Sequence, residues 1–259
     1  MARIGVFDSG VGGLTVLRAL HRRLPDASTV YLGDTARVPY GTKSPEVVIR
    51  YSRNNARFLL GHVPQLLVVA CNTASAHALG ALRDELQVPV IGVIEPGARA
   101  AAARTRSGRI GVIGTAGTIA SGAYQRALAE AIPGAEVVAR ACPLFVPLAE
   151  EGWTEGEVTR LVVERYLGDL RGTIDTLVLG CTHYPLLQQA IADVLGPDVA
   201  LVDSAEATAA AVEDALRGVA AGASAEAHRY FVTDVPARFP EIAARFLGHV
   251  PETVEQVDV

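Results

Sequence analysis

Two observations predict an α/β fold made of two similar, doubly wound parallel-sheet domains. Short apolar runs of four to six residues alternate with longer amphipathic stretches, the rhythm of βαβ units whose helices cover a parallel sheet. Segments of the first part also return about 110 residues further on, the mark of an internal duplication. Arg3-Ile4-Gly5-Val6 reappears as Arg109-Ile110-Gly111-Val112, and Leu67-Val68-Val69-Ala70-Cys71-Asn72-Thr73 as Leu177-Val178-Leu179-Gly180-Cys181-Thr182-His183. More loosely, Pro89-Val90-Ile91 returns as Ala200-Leu201-Val202.

In chain order, the apolar runs predict strands at 3–7, 29–32, 66–70, 90–93, 109–113, 136–140, 176–179, 199–202 and 229–232. Leu14, Leu17, Leu20 and Leu24 fall on one face of a helix after the first strand. Ser44-Pro45-Glu46 opens another, with serine as cap and proline at the first helical position. A third opens after Pro185 and closes at Gly196. From about residue 207 an alanine-rich helix, a strand and a further helix are expected to return to the first domain. That assigns 1–96 plus 207–259 to the first domain and 97–206 to the second.

Composition narrows the function classes. A chain of 259 residues, 50% hydrophobic and 20% charged with a net charge of -5, has the makeup of an ordinary soluble globular protein. Its arginines are scattered and its one lysine is Lys43, so no basic stripe tracks phosphates and no nucleic-acid partner is expected. Met1-Ala2-Arg3 runs straight into an apolar strand with no room for a signal peptide, and the apolar runs are too short to span a membrane. A cytoplasmic location is therefore expected, where three cysteines without framework spacing stay reduced.

In open parallel sheets, ligands sit beyond the carboxyl ends of the strands, where helix N-termini offer free N–H groups. Four polar segments are predicted there: Asp8-Ser9-Gly10-Val11-Gly12-Gly13, Cys71-Asn72-Thr73, Gly114-Thr115-Ala116-Gly117-Thr118 and Cys181-Thr182-His183. The glycine-rich first segment lacks both the dinucleotide spacing and the Walker lysine, which leaves a small anion or a tight turn using glycine's positive φ.

A lone cysteine at a strand end is most often a small buried hydrophobe, the reading given to Cys142. Two cysteines at matching points of a repeat, each followed by hydroxyl or amide side chains, point instead to shared chemistry. Zinc held by Cys71, Cys181 and His183 is disfavoured because no C-x-x-C pair exists and the ligands are far apart in sequence. His183, two residues after Cys181, is placed to influence that thiol, and Asp8 can do the same for Cys71. Asn72, Thr73, Thr115, Thr118 and Thr182 suit helix capping and ligand binding equally. Lys43 sits in no recognisable pyridoxal context, so neither metal nor cofactor is expected.

These segments together resemble the glutamate racemase family over nearly the whole chain. The resemblance is carried by Gly5 to Val16, by Gly33-Asp34-Thr35 with Pro39-Tyr40-Gly41, by Ala70 to Ser75, by Gly111 to Thr115, by Ala141 to Pro147 and by Leu179 to Pro185. It implies an active site between two α/β domains, Cys71 and Cys181 as catalytic thiols, and Asp8 and His183 as assisting groups. It also implies that Ser9, Tyr40, Gly41, Asn72, Thr73, Thr115, Thr118 and Thr182 hold glutamate, that the product D-glutamate feeds peptidoglycan synthesis, and that the chain forms a homodimer. Two alternatives are a racemase, isomerase or decarboxylase of another amino acid or dicarboxylate, and a non-catalytic binding protein on the same scaffold. Only catalysis would exchange the ligand's α-hydrogen with solvent.

Overall fold

A computed structural model describes residues 2–217, 228–235, 237–251 and 253–259; of the segment expected to return from residue 207, positions 218–227, 236 and 252 lie outside the described residues. The first part runs β1 (Arg3–Asp8), α1 (Leu14–Arg23), β2 (Ser28–Gly33), α2 (Pro45–Leu60), β3 (Leu66–Val69), α3 (Asn72–Glu85), β4 (Val90–Gly92) and α4 (Ile94–Arg104). The second runs β5 (Arg109–Gly114), α5 (Ala116–Ala120), α6 (Ala123–Ala131), β6 (Glu136–Ala141), α7 (Phe145–Glu151), α8 (Glu157–Leu167), β7 (Thr176–Gly180), α9 (Gln188–Leu195) and β8 (Ala200–Asp203). The chain then continues through α10 (Ser204–Leu216), β9 (Arg229–Val232), α11 (Phe239–Leu247) and β10 (Val254–Gln256).

Among the described residues the strands form a six-stranded sheet ordered β10-β9-β2-β1-β3-β4 and a four-stranded sheet ordered β6-β5-β7-β8, each parallel throughout. The repeat visible in the sequence is thus a repeat of topology. β2-β1-β3-β4 and β6-β5-β7-β8 have the same order, with β1 matched to β5 and β3 to β7. Leu66, Leu67, Val68 and Val69 are all fully buried, as a central parallel strand covered on both faces requires. Each such side chain contributes about 1.5–3 kcal/mol through removal from water.

Helices cover both faces of each sheet. Leu14, Leu17 and Leu20 of α1 pack with Ala205 and Ala209 of α10 and Phe246 of α11 on one face of the large sheet, while α2 and α3 cover the other. Ile94, Ala98 and Ala101 of α4 pack with Tyr124 and Leu128 of α6 on one face of the small sheet, opposite a cluster built by α8 and α9. The two crossings between the sheets, α4 and α10, touch side by side: a Cβ added to Gly97 would lie 3.2 Å from Ser204 Cβ.

Ser44 stands at the N-cap of α2 with proline next to it, but its side chain makes no cap hydrogen bond; the hydroxyl serves Glu46 instead. The three-residue edge strand β10 adds to the elements expected. No helix among the described residues is long and apolar enough to cross a membrane.

Candidate active site

Cys71 directly follows β3 and Cys181 directly follows β7, at the carboxyl ends of matched strands. Both sulfurs line one cleft between the two sheets, a cavity of about 50 Å³. Sites that hold drug-sized molecules have about 300–1,000 Å³, so the cleft is narrow and suits at most a small ligand.

Cys71 is the N-cap of α3, and its sulfur accepts the Ala74 N–H at 3.4 Å. Its thiol in turn donates to Ser9 Oγ at 3.4 Å. Burial, with the Asp8 carboxyl as the next cause, pushes the Cys71 thiol up to about 12, against the pull of Ser9 and the Ala74 amide. Asp8 lies behind the cleft wall at 1% exposure, its Oδ2 accepting from Gly10 N–H at 2.9 Å and its Oδ1 without a partner among the described residues. Burial raises its carboxyl, and the His183 charge and the Gly13, Gly10 and Ser9 amides offset that only in part.

The Cys181 side is built differently. A single 3₁₀ turn, Tyr184–Leu187, stands between this strand end and α9. His183 Nδ1 lies 3.9 Å from the Cys181 sulfur and Nε2 lies 2.8 Å from Glu150 Oε1. Burial alone would push the imidazole down, but its bonds to Cys181 and Glu150 raise it to about 10. The Cys181 sulfur on one side of His183 and the Glu150 carboxyl group on the other both favour keeping its proton. Glu150, on α7, carries no local motif. Its pairing partner is 33 positions away, so sequence reasoning missed it.

Between the two thiols, hydroxyls from both lobes converge. Thr73 Oγ1 lies 2.9 Å from Thr115 Oγ1 and 3.1 Å from Thr118 Oγ1, and the latter two are 3.0 Å apart. Thr115 also caps α5 by accepting the Thr118 N–H, so capping and a place in the cleft wall coexist. Ser9, Tyr40, Gly41, Asn72, Thr73, Thr115, Thr182 and His183 line the cleft with the two cysteines; Asp8 and Thr118 stand one layer back. Tyr40 presents its body but not its hydroxyl, which donates a short bond to Asp34 and accepts one from Asn55 Nδ2 at 3.1 Å. Cys142, read as a buried hydrophobe, is fully buried among Phe145, Leu177 and Tyr184.

The glycines after β1 correct an expectation. Gly13 has φ -61°, and neither Gly10 nor Gly12 is among the glycines with positive φ, so turn strain does not explain them. Close approach does. A Cβ on Gly12 would collide with Thr182 Oγ1 and stand 2.5 Å from His183 Nδ1, and one on Gly41 would stand 2.6 Å from Thr115 Cβ. The absent side chains let the loops of the two lobes meet. Thr15 then ties them by donating to the Thr182 carbonyl at 3.2 Å.

Comparison with known proteins identifies the family and the fold. The family model for Asp/Glu/hydantoin racemases matches residues 5–212. The chain is 59% identical over 260 residues to the glutamate racemase of Geobacter metallireducens, covering 99% of this chain and 96% of that one. Among solved structures, the glutamate racemase isoform of Bacillus anthracis superposes with a TM-score of 0.94 at 44% identity, covering 100% of this chain and 98% of that one. The Francisella tularensis enzyme, solved in complex with D-glutamate, gives 0.92 at 35% identity, covering 99% and 97%.

Proposed function

The chain belongs to the Asp/Glu/hydantoin racemase family, and from that premise we propose that it interconverts L- and D-glutamate with Cys71 and Cys181 as two opposed acid/base groups. The observation that carries the proposal is the meeting of two sulfurs from matched strand ends in one cleft. Racemisation takes the α-proton from one face of a carbon and returns a proton to the other. Two groups facing each other across that carbon suffice.

In one direction the Cys181 thiolate takes the α-proton while the Cys71 thiol gives its proton to the opposite face, leaving a Cys181 thiol and a Cys71 thiolate. The reverse direction starts from that second state. The His183 cation favours negative charge on Cys181. The Ala74 amide and the Ser9 hydroxyl supply the corresponding help at Cys71.

The carbanion formed between the two transfers needs stabilisation without an electron sink. The chain's one lysine, Lys43, does not line the cleft, so cofactor-free chemistry is the reading the residues support. Hydrogen bonds from Ser9 and the threonine hydroxyls, in a cleft that excludes most water, take that part. A turnover of about 10 per second leaves a barrier on the order of 16 kcal/mol, and the lowering that enzymes achieve, about 8–23 kcal/mol, is more than any one such bond supplies. By the same family resemblance, the enzyme acts in the cytoplasm as a homodimer and supplies D-glutamate for peptidoglycan.

The test is incubation of the purified protein, free of metal and pyridoxal, with D-glutamate in deuterated water. Optical rotation should decay to zero while deuterium enters the α-position of both enantiomers. Binding without either change would overturn the catalytic reading. Faster conversion of aspartate than of glutamate would reassign the substrate.

A further inference from the structure

We propose that Tyr124 is a positioning residue for the reaction: it fixes the Asn72 side-chain amide so that Nδ2 faces the cleft as a hydrogen-bond donor to a carboxylate of the substrate. The inference rests on the racemase reading of the cleft and adds to it a residue outside the cleft wall.

Asn72 is the first residue of α3, next to Cys71, and is 3% exposed. Its Oδ1 accepts a hydrogen bond from the Tyr124 hydroxyl at 2.7 Å, across the boundary between the lobes. Its Nδ2 is buried and has no hydrogen-bond partner among the described residues. An amide oxygen held by a phenol leaves the NH2 group pointing the other way, and here that group belongs to a side chain lining the cleft. A buried donor without an acceptor is costly to folding. A carboxylate, which only accepts, is its chemical complement.

Tyr124 is held too firmly to be an incidental neighbour. It is 1% exposed, and its ring rests on Gly180, the residue before Cys181, where an added Cβ would lie 2.9 Å from Cε2. Its hydroxyl sits over Gly97, where a Cβ would lie 3.3 Å away. Ser204, at the start of α10, packs against the same glycine as the phenolic oxygen. A phenol has one hydrogen to give, and it goes to Asn72 Oδ1. One ring therefore touches the strand end that carries Cys181 and the amide beside Cys71.

The test is Tyr124→Phe, which keeps the ring and removes the hydroxyl. With the amide free to turn its oxygen toward the cleft, KM for glutamate should rise on the order of tenfold in both directions, with kcat changed less than about threefold. Asn72→Ala should raise KM by a similar factor, and the double variant should be no worse than Asn72→Ala alone. An unchanged KM in Tyr124→Phe, or effects of Tyr124→Phe and Asn72→Ala that multiply, would overturn the proposal. So would a loss confined to melting temperature and kcat, the signature of a purely structural residue. If the unaltered protein binds D-glutamate without racemising it, the racemase reading falls but the same tenfold weakening is expected in the dissociation constant. A protein that neither binds nor converts glutamate would overturn both.

Discussion

Cys71 and Cys181 end matched strands of matched sheets, yet their protons are managed by different means. Cys71 caps a full helix and faces a backbone amide, a serine hydroxyl and the Asp8 carboxyl, and burial holds its proton on up to about 12. Cys181 opens onto a short turn and faces an imidazolium that Glu150 anchors from behind. The matched strands supply the geometric symmetry of the pair, and the unlike loops that follow them give it an electrostatic polarity. Burial and the Asp8 carboxyl hold the proton on Cys71, whereas Cys181 has the His183–Glu150 pair beside it, so the two sulfurs do not sit in equivalent surroundings.

The largest expected effect bears on the symmetric half of that comparison. Cys71→Ser and Cys181→Ser should each lower racemisation by on the order of 10³-fold, measured by circular dichroism from either enantiomer. Near-normal activity in either variant would break the two-thiol scheme. The next tests the polarity. Glu150→Gln should lower the His183 pKa from about 10 toward 6.5 and reduce activity by about tenfold at neutral pH, with the alkaline limb of the rate profile moving to lower pH.

The same variant has a stability signature of defined sign. A histidine whose pKa is raised on folding contributes stability that is complete below about 6.5 and is lost as pH rises to about 10. The unaltered protein should therefore lose melting temperature across that window, and Glu150→Gln should flatten the decline. The smallest effect is on the other side. Ser9→Ala removes a hydroxyl that favours the Cys71 thiolate, so activity should fall by only about threefold at neutral pH, with more of it restored as pH rises. A larger loss in Ser9→Ala than in Glu150→Gln would reverse the assigned polarity.

Much of this was legible in the sequence because it is periodic or local. The parallel strands announce themselves as apolar runs bounded by turn residues, and Cys71 and Cys181 emerge from their place in the repeat. β10 escaped because three exposed or half-buried edge residues carry no such pattern. Glu150 escaped because its role depends on α7 folding back toward His183, and Tyr124 because its hydroxyl acts across the boundary between lobes. The glycines after β1 do not serve as a positive-φ turn: Gly12 leaves room for Thr182 and His183 of the facing loop, while Gly10 and Gly13 leave room for Val38 and Asp8 of their own lobe. Local sequence identifies what a residue can do, whereas the partner it meets is set by topology.

The side-by-side crossings α4 and α10 join the two halves at a place besides the cleft. They meet where Gly97 stands against Ser204, and a Cβ on Gly97 would lie 3.2 Å from Ser204 Cβ and 3.3 Å from the Tyr124 hydroxyl. A bulkier residue at 97 would press at once on the seam between the connections and on the phenol that reaches Asn72.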